Sequence, residues 1–332
     1  MSKGIKMLSA VDAQGASYTV DQLQARYENA QSIPALFCDD AKCGHAVRFV
    51  KWHTQNRKGR VTPIQVPAYI GLSRDSDHVL GCRYDAPGRL KLILAAASDP
   101  NFLHALDDGK RELRLLILHQ GLQGRGASGN PAAPRPLPPG GAAAQRPTGF
   151  RATKEQLDSY LRTTTDLLAL RAACEDDDLL AANLTLRLGK RRIAWHDFLY
   201  ESGRYDEVWE KLAPEGGGHA LPLAIIGTVK SHKMPPADAT YTTTYLNCES
   251  QLNRTDDPNR REYFEVSVGH ADAEWLQQFA VGSQLILFGL WKRGSTSESS
   301  KPHPREEGRI MTYVTHKLRL SLASKRQLAP VR

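Results

Sequence analysis

Nowhere in its 332 residues does the chain approach the roughly 18 uninterrupted apolar residues that a membrane helix needs. The opening, MSKGIKMLSAVDAQG, has no apolar core of the secretory type, so the sequence predicts neither a membrane protein nor an exported one. Cysteine is scarce. The five present, at 38, 43, 82, 174 and 248, are an odd number in a long chain, which argues against a disulfide framework and for a reducing compartment, the cytoplasm. There is no internal repeat and no long block of one charge. What is present is a mild basic excess, 44 Lys+Arg against 36 Asp+Glu, giving +8 and a pI near 9.2. Such a balance leans towards polyanions. By segment the net charge is +3 over 1–110, +4 over 111–150, −3 over 151–220 and +4 over 221–332. No segment is a basic tail, so any nucleic-acid site must be made by arrangement rather than by bulk charge.

Length and a 41% hydrophobic fraction predict two or three domains with real cores. The clearest boundary is GLQGRGASGNPAAPRPLPPGGAAAQRPT, from Gly121 to Thr148, which is Gly, Pro and Ala with three arginines and no acid. It cannot bury enough apolar surface to offset its ordering entropy and reads as a linker. A shorter break is PEGGG, Pro214 to Gly218. The expected class is α+β and multidomain. A zinc-stabilised domain over 1–118 is followed by a flexible linker over 119–150, a helical segment over 151–218 and a five-stranded OB-like barrel over 219–332.

Cys38, Cys43, His78 and Cys82 fall as C-x4-C and H-x3-C, two short-spaced pairs of the kind that supply a tetrahedral zinc site. Turn-forming residues surround both pairs: Asp39, Asp40 and Gly44 at the first, Ser73 to Gly81 at the second. Four protein ligands leave no open position, so the zinc would be structural. His45 and His53 are rival histidines, and scattered buried thiols are the plain alternative. The stretches MLSAVDAQG, FCDDAKCGHAVRFV and VPAYIGLSRDSDHVLGC, over roughly residues 7 to 85, resemble the N-terminal zinc-bearing region of the CoiA-like competence proteins. Where that family carries a Pro-His-Phe-x-His segment, this chain has Pro67, Ala68, Tyr69 and Ile70.

Further on, Pro87–Ser98 and Arg111–His119 are apolar runs of strand or short-helix length. Asp107, Asp108 and Glu112 are the nearest thing to a nuclease carboxylate set, although Glu112 is followed by Leu113 and Arg114 rather than by a lysine at the second position. In the middle segment, Leu157, Leu161, Leu167, Leu168 and Leu170 predict a helix over Lys154–Leu170. A second helix is expected from the acidic run at Glu175–Asp178 through Leu188, with Lys190, Arg191 and Arg192 at its C-terminal end, where cations favour the macrodipole. Those cations could instead touch phosphate. Tyr205–Leu212 predicts a third helix.

Period-two runs at Leu221–Ser231, Tyr241–Glu249, Glu262–Gly269, Ser283–Lys292 and Arg309–Leu322 predict five strands, with a helix at Ala271–Phe279 between the third and fourth. That order is the OB-fold's, a barrel that commonly binds oligonucleotides, and FAVGSQLILFGLWKR resembles the helix-to-strand step of OB-fold nucleic-acid binders. Gly227 and Gly289 fall where such strands bend. Alternation turns Leu246, Cys248, Phe264, Val266, Val268, Ile310, Val314, Leu318 and Leu320 inward. It turns Tyr241, Tyr245, Tyr263, Tyr313, Lys317 and Arg319 outward, where rings stack on unpaired bases and cations follow phosphates. Arg260, Arg261 and Lys292 extend the same candidate interface, while Glu265 opposes it. Tyrosines filling ordinary strand positions are the plain alternative.

The sequence therefore predicts a cytoplasmic, bacterial, DNA-associated protein that binds single-stranded DNA or RNA through its C-terminal domain, with other DNA-processing proteins as further candidate partners. Nothing in it shows turnover. The alternatives are a metal-dependent nuclease of competence or mobile-element DNA processing, and a non-enzymatic adaptor docking onto another protein.

Overall fold

The computed structural model describes residues 5–55, 64–73, 76–97, 99–123, 153–174, 177–212, 221–236, 238, 242–255, 257–303, 306 and 308–331. The expected linker beyond residue 123, the Pro214–Gly218 break and Tyr241 lie outside the described residues. The architecture is mixed α/β, with several sheets and few helices. No helix among the described residues is long and apolar enough to cross a membrane.

The first sheet is built from β1 (Ser9–Val11), β2 (Ser17–Thr19), β3 (Leu36–Cys38), β4 (Ala46–Val50) and β7 (Tyr69–Leu72), in the order β2-β1-β3-β4-β7 and antiparallel throughout. Helix α1 (Val20–Glu28) leaves β2 through a capping box between Thr19 and Gln22, which satisfies two orphan backbone donors reciprocally. The strands β5 (His53–Gln55) and β6 (Ile64–Val66) form a separate ribbon. Met7, Ala10, Leu23, Leu36, Val47 and Ile70 make a small core together with Cys38 and Cys82.

Next come α2 (Ala86–Ala96), β8 (Leu103–Ala105), β9 (Arg111–Arg114) and α3 (Leu115–Gln123), then α4 (Lys154–Ala173), α5 (Asp178–Asn183), β10 (Leu184–Leu188), β11 (Arg191–Ile193), β12 (Leu199–Tyr200) and α6 (Tyr205–Lys211). The helix expected through Leu188 stops at Asn183. Residues 184–188 instead run parallel to β9 and turn back into β11. The alternation of LTLRL, with β-branched Thr185, suits a half-buried strand once β9 offers it a parallel partner. The sheet β11-β10-β9-β8 thus joins residues on both sides of the Gly/Pro-rich segment, and the first five residues assigned to the linker, 119–123, are helical. Helix α4 has its own capping box, Thr153 with Gln156, and buries Leu157, Leu161, Leu167, Leu168 and Leu170 as the period predicts. These leucines pack with Leu113, Leu118, Leu184 and Leu186, and also with Ala224, Ile286 and Phe288 from the last third of the chain.

That last third holds β13 (Leu221–Lys233), β14 (Thr244–Cys248), β15 (Gln251–Arg254), β16 (Arg260–His270), α7 (Ala273–Gln277), β17 (Gln284–Pro302), β18 (Ile310–Ser321) and β19 (Leu328–Pro330). Strand β13 pairs with β14, β14 with β16, β16 with β18 in parallel, β18 with β17, and β17 with β13, so the pairings return to the strand where they began. A core of Leu223, Ile225, Leu246, Phe264, Val266, Val268, Leu285, Leu287, Trp291, Leu318 and Leu320 fills the circuit. It also takes in Tyr205, Val208 and Trp209 of α6. Gly227 and Gly289 are places of close approach: a Cβ at Gly227 would lie 2.6 Å from Cys248 Sγ, and one at Gly289 2.6 Å from Leu320 Cδ1.

Candidate functional site

Two groups of side chains stand out. The first is in the N-terminal sheet, where Cys38, Cys43, His78 and Cys82 bring their ligand atoms within 4.8 Å of one another. Cys38 ends β3 and its N–H donates to His45 O at 2.8 Å. Cys43 follows a turn closed by Cys43 N–H to Asp40 O at 2.9 Å, and Gly44, at φ 60°, takes the left-handed conformation that lets the chain re-enter β4. His78 and Cys82 flank a second turn, closed by Cys82 N–H to Val79 O at 3.0 Å, with Gly81 at φ 83°. The Asp40 carboxylate ties the two turns together by accepting from the N–H groups of Lys42 and Arg83.

The sulfurs of Cys38 and Cys82 lie 3.8 Å apart, and His78 Nδ1 lies 3.3 Å from Cys43 Sγ and 3.6 Å from Cys82 Sγ. Backbone N–H groups two residues on point at each sulfur: Asp40 at Cys38, His45 at Cys43 and Tyr84 at Cys82. Burial pushes the Cys38 and Cys82 thiols up, and those N–H groups oppose it. At Cys43 burial also acts upward, but donation from His45 and Val79 outweighs it and the thiol is held below its ordinary value. Burial likewise lowers His78, keeping the ring neutral, which is the form that ligates. Three sulfurs and one neutral imidazole nitrogen form a soft, closed donor set that could hold a metal ion.

Among the described residues no other group of three or more His, Cys, Asp or Glu side chains gathers in this way. Asp108 accepts from Lys110 N–H in a turn, and Glu112 is buried between Arg114 and Arg187. Asp108 and Glu112, two of the carboxylates considered for a nuclease, are thus engaged separately.

The second group lies on the outward face of β14, β16 and β18. Burial alternates along β14 and β16, with Thr244, Leu246, Cys248, Phe264, Val266 and Val268 inside and Tyr245, Asn247, Tyr263, Glu265 and Ser267 half-buried on the other side. On β18, Val314, Leu318 and Leu320 point inward as expected, whereas Ile310 is 63% exposed. Ile310 begins the strand in the part of the β17–β18 hairpin that extends past the core, so no interior awaits it.

Register places the outward residues beside one another: Tyr245 opposite Gly269, Asn247 opposite Ser267, Ser267 opposite Arg319, Glu265 opposite Lys317, and Arg261 opposite Tyr313. The rings of Tyr263 and Tyr313 lie near-parallel, 26° apart in plane with centroids at 6.4 Å. Tyr245 lies across Gly269, where a Cβ would come within 3.1 Å of its Cε1. Arg319 lays its stem along Gly294 and sits directly opposite exposed Lys292.

One expected member stands apart. Arg260 has the strand parity of Phe264, not of Tyr263, and binds Glu262 at 3.0 Å with Glu298 at 3.9 Å, so its charge is spent on acids of the other face. Sequence reasoning also passes over what lies behind the tyrosines. His316 stacks on Phe264 at 4.9 Å and meets Trp209 in a tilted contact at 4.8 Å, while Arg293 lies over the Trp209 ring at 4.8 Å and donates to its carbonyl. These contacts dock α6 onto β16 and β18, and only the amphipathic Tyr205–Leu212 pattern hints at them.

No family model matches the chain, and none supports the resemblance to the CoiA-like competence proteins. No curated protein matches it either. Among solved structures it is similar to a small single-stranded DNA-binding protein from Streptomyces coelicolor, at 15% identity and a TM-score of 0.17, over 30% of this chain and 91% of that one.

Proposed function

We propose that the chain binds single-stranded nucleic acid on the outward face of β14, β16 and β18, and that the closed strand circuit carrying this face is an OB-like barrel. The observation that carries the reading is one sheet face with the near-parallel Tyr263–Tyr313 pair towards one end and Tyr245 at the other, with Arg261, Lys317, Arg319 and Lys292 on the same face. Flat rings held by a sheet stack on bases of any sequence, and cations beside them follow the phosphates. The strand order, with a parallel pair between the third and fifth barrel strands and α7 between the third and fourth, supports the OB-like assignment. Fluorescence anisotropy of the full chain with labelled oligo-dT tests the reading. Binding at low salt that weakens as salt rises is expected, and no binding at low salt overturns it.

The role proposed for Cys38, Cys43, His78 and Cys82 is a structural zinc site. Tetrahedral zinc with Zn–S near 2.3 Å places two sulfurs about 3.8 Å apart and a sulfur and a nitrogen about 3.6 Å apart. The cluster's 3.8, 3.6 and 3.3 Å separations fit. All four positions are taken by protein atoms, so the ion would hold two turns together rather than act on a substrate. Metal analysis of the purified chain tests it, with about one zinc per chain expected.

A further inference from the structure

The sheet β11-β10-β9-β8 has two unlike faces. One presents Leu103, Leu113, Leu184 and Leu186 to the cluster that includes Ala224, Ile286 and Phe288, and so to the strand circuit. The other, turned away from it, carries only polar side chains: His104 and Thr185 opposite Glu112, and Arg114 opposite Arg187, which in turn lies opposite Arg192. Three arginines from adjacent strands, whose backbones lie roughly 4.8 Å apart, therefore form one row.

Like charges set directly opposite one another destabilise a sheet, and this row is only partly neutralised. Glu112, 7% exposed, accepts from Arg114 Nε at 3.2 Å and has Arg187 Nε 2.9 Å from its other oxygen. One carboxylate thus serves two arginines through their inner nitrogens, both arginine side chains remaining more than a third exposed overall although Arg187 Nε itself is buried. Arg192 has no ion pair among the described residues, and exposed Lys190 precedes it in the tight turn at Gly189, φ 61°. Cations on a short edge strand are a common defence against strand addition, which would explain Arg191 and Arg192. It does not explain Arg114 and Arg187, which lie on interior strands.

We propose that this row is a second nucleic-acid contact, which grips the phosphodiester backbone of a duplex. The face offers planar, multiply donating cations suited to phosphate oxygens, and no Phe, Tyr or Trp on which an unpaired base would stack. It therefore suits a nucleic acid whose bases are already paired. The inference does not depend on the tyrosine face, which lies in a different sheet.

The test is anisotropy of the full chain with a blunt-ended labelled duplex, with oligo-dT in parallel. Arg114 and Arg187 neutralise a buried carboxylate, so the informative variants are Lys190→Gln with Arg192→Gln, and separately Glu112→Gln with Arg187→Gln, which removes a charge of each sign. For the first, duplex binding weakens and the slope of log affinity against log salt becomes shallower by about 0.9 for each phosphate that is no longer neutralised, while oligo-dT binding is unchanged. For the second, duplex binding weakens in a chain whose thermal unfolding remains cooperative. No duplex binding at low salt would overturn the proposal. So would wild-type duplex affinity and slope in the Lys190/Arg192 variant, or loss of duplex binding on Tyr263→Ala with Tyr313→Ala.

Discussion

The N-terminal sheet and the C-terminal strand circuit are both small β structures, but they solve the problem of stability differently. The N-terminal core is a few aliphatic side chains completed by Cys38 and Cys82. The circuit encloses a far larger set, including Phe264, Trp291, Tyr205 and Val266. A core too small to offset chain entropy needs a crosslink or a metal, so under the proposed zinc role the chemically active residues of the first region would serve the fold. In the second, the fold is complete without its outward residues, and Tyr245, Tyr263, Tyr313, Lys317 and Arg319 are free to serve a ligand.

The largest expected effect breaks the first region alone. Cys38→Ser or Cys82→Ser should remove about one zinc per chain and the hydrogen-exchange protection of β1, β3 and β4, while oligo-dT affinity persists. Loss of oligo-dT binding together with the metal would erase the contrast. Next, Phe264→Ala should cost about 3 to 5 kcal/mol in denaturant unfolding, since it empties the circuit beneath Trp209 and His316. Third, Tyr263→Ala or Tyr313→Ala should weaken oligo-dT binding by about 1 to 3 kcal/mol, with the chain still folded. Smaller still, Glu265→Gln should tighten binding and steepen its salt dependence, because it removes the carboxylate opposite Lys317.

The smallest effect is a pH dependence. Burial against Phe264 and Trp209 holds His316 below its usual value, so the unfolded chain takes up the proton first. Stability from this group is fully present above about pH 6.5 and is lost as pH falls towards the folded value. The slope of unfolding free energy between pH 7 and 5, compared with that of His316→Phe, measures it.

Much of this is legible in the residues. Alternation marks five strands of the closed circuit and the inward and outward sets on β14 and β16, and spacing marks two Cys/His pairs that converge. What is not legible comes from pairing across long separations. Leu184–Leu188 reads as the end of a helix because the acids before it and the basic run after it suit a helix dipole, yet β9, from before the Gly/Pro-rich segment, supplies a strand partner. The helical reading also hides the arginine row, since Lys190–Arg192 then needs no role beyond that of a cap. Arg260 goes astray for a related reason. It adjoins Arg261 in sequence, but one residue along a strand is the opposite face.

Single-strand binding is proposed to rest on the tyrosine face rather than on net charge. The most direct measurement is a salt titration of oligo-dT anisotropy for the full chain and for Tyr263→Ala with Tyr313→Ala. The account predicts a large loss of affinity in the double variant with an unchanged salt slope, since stacking is removed while the cations still meet the phosphates. Equal affinities, or an equally weak association carried by charge alone in both, would contradict it.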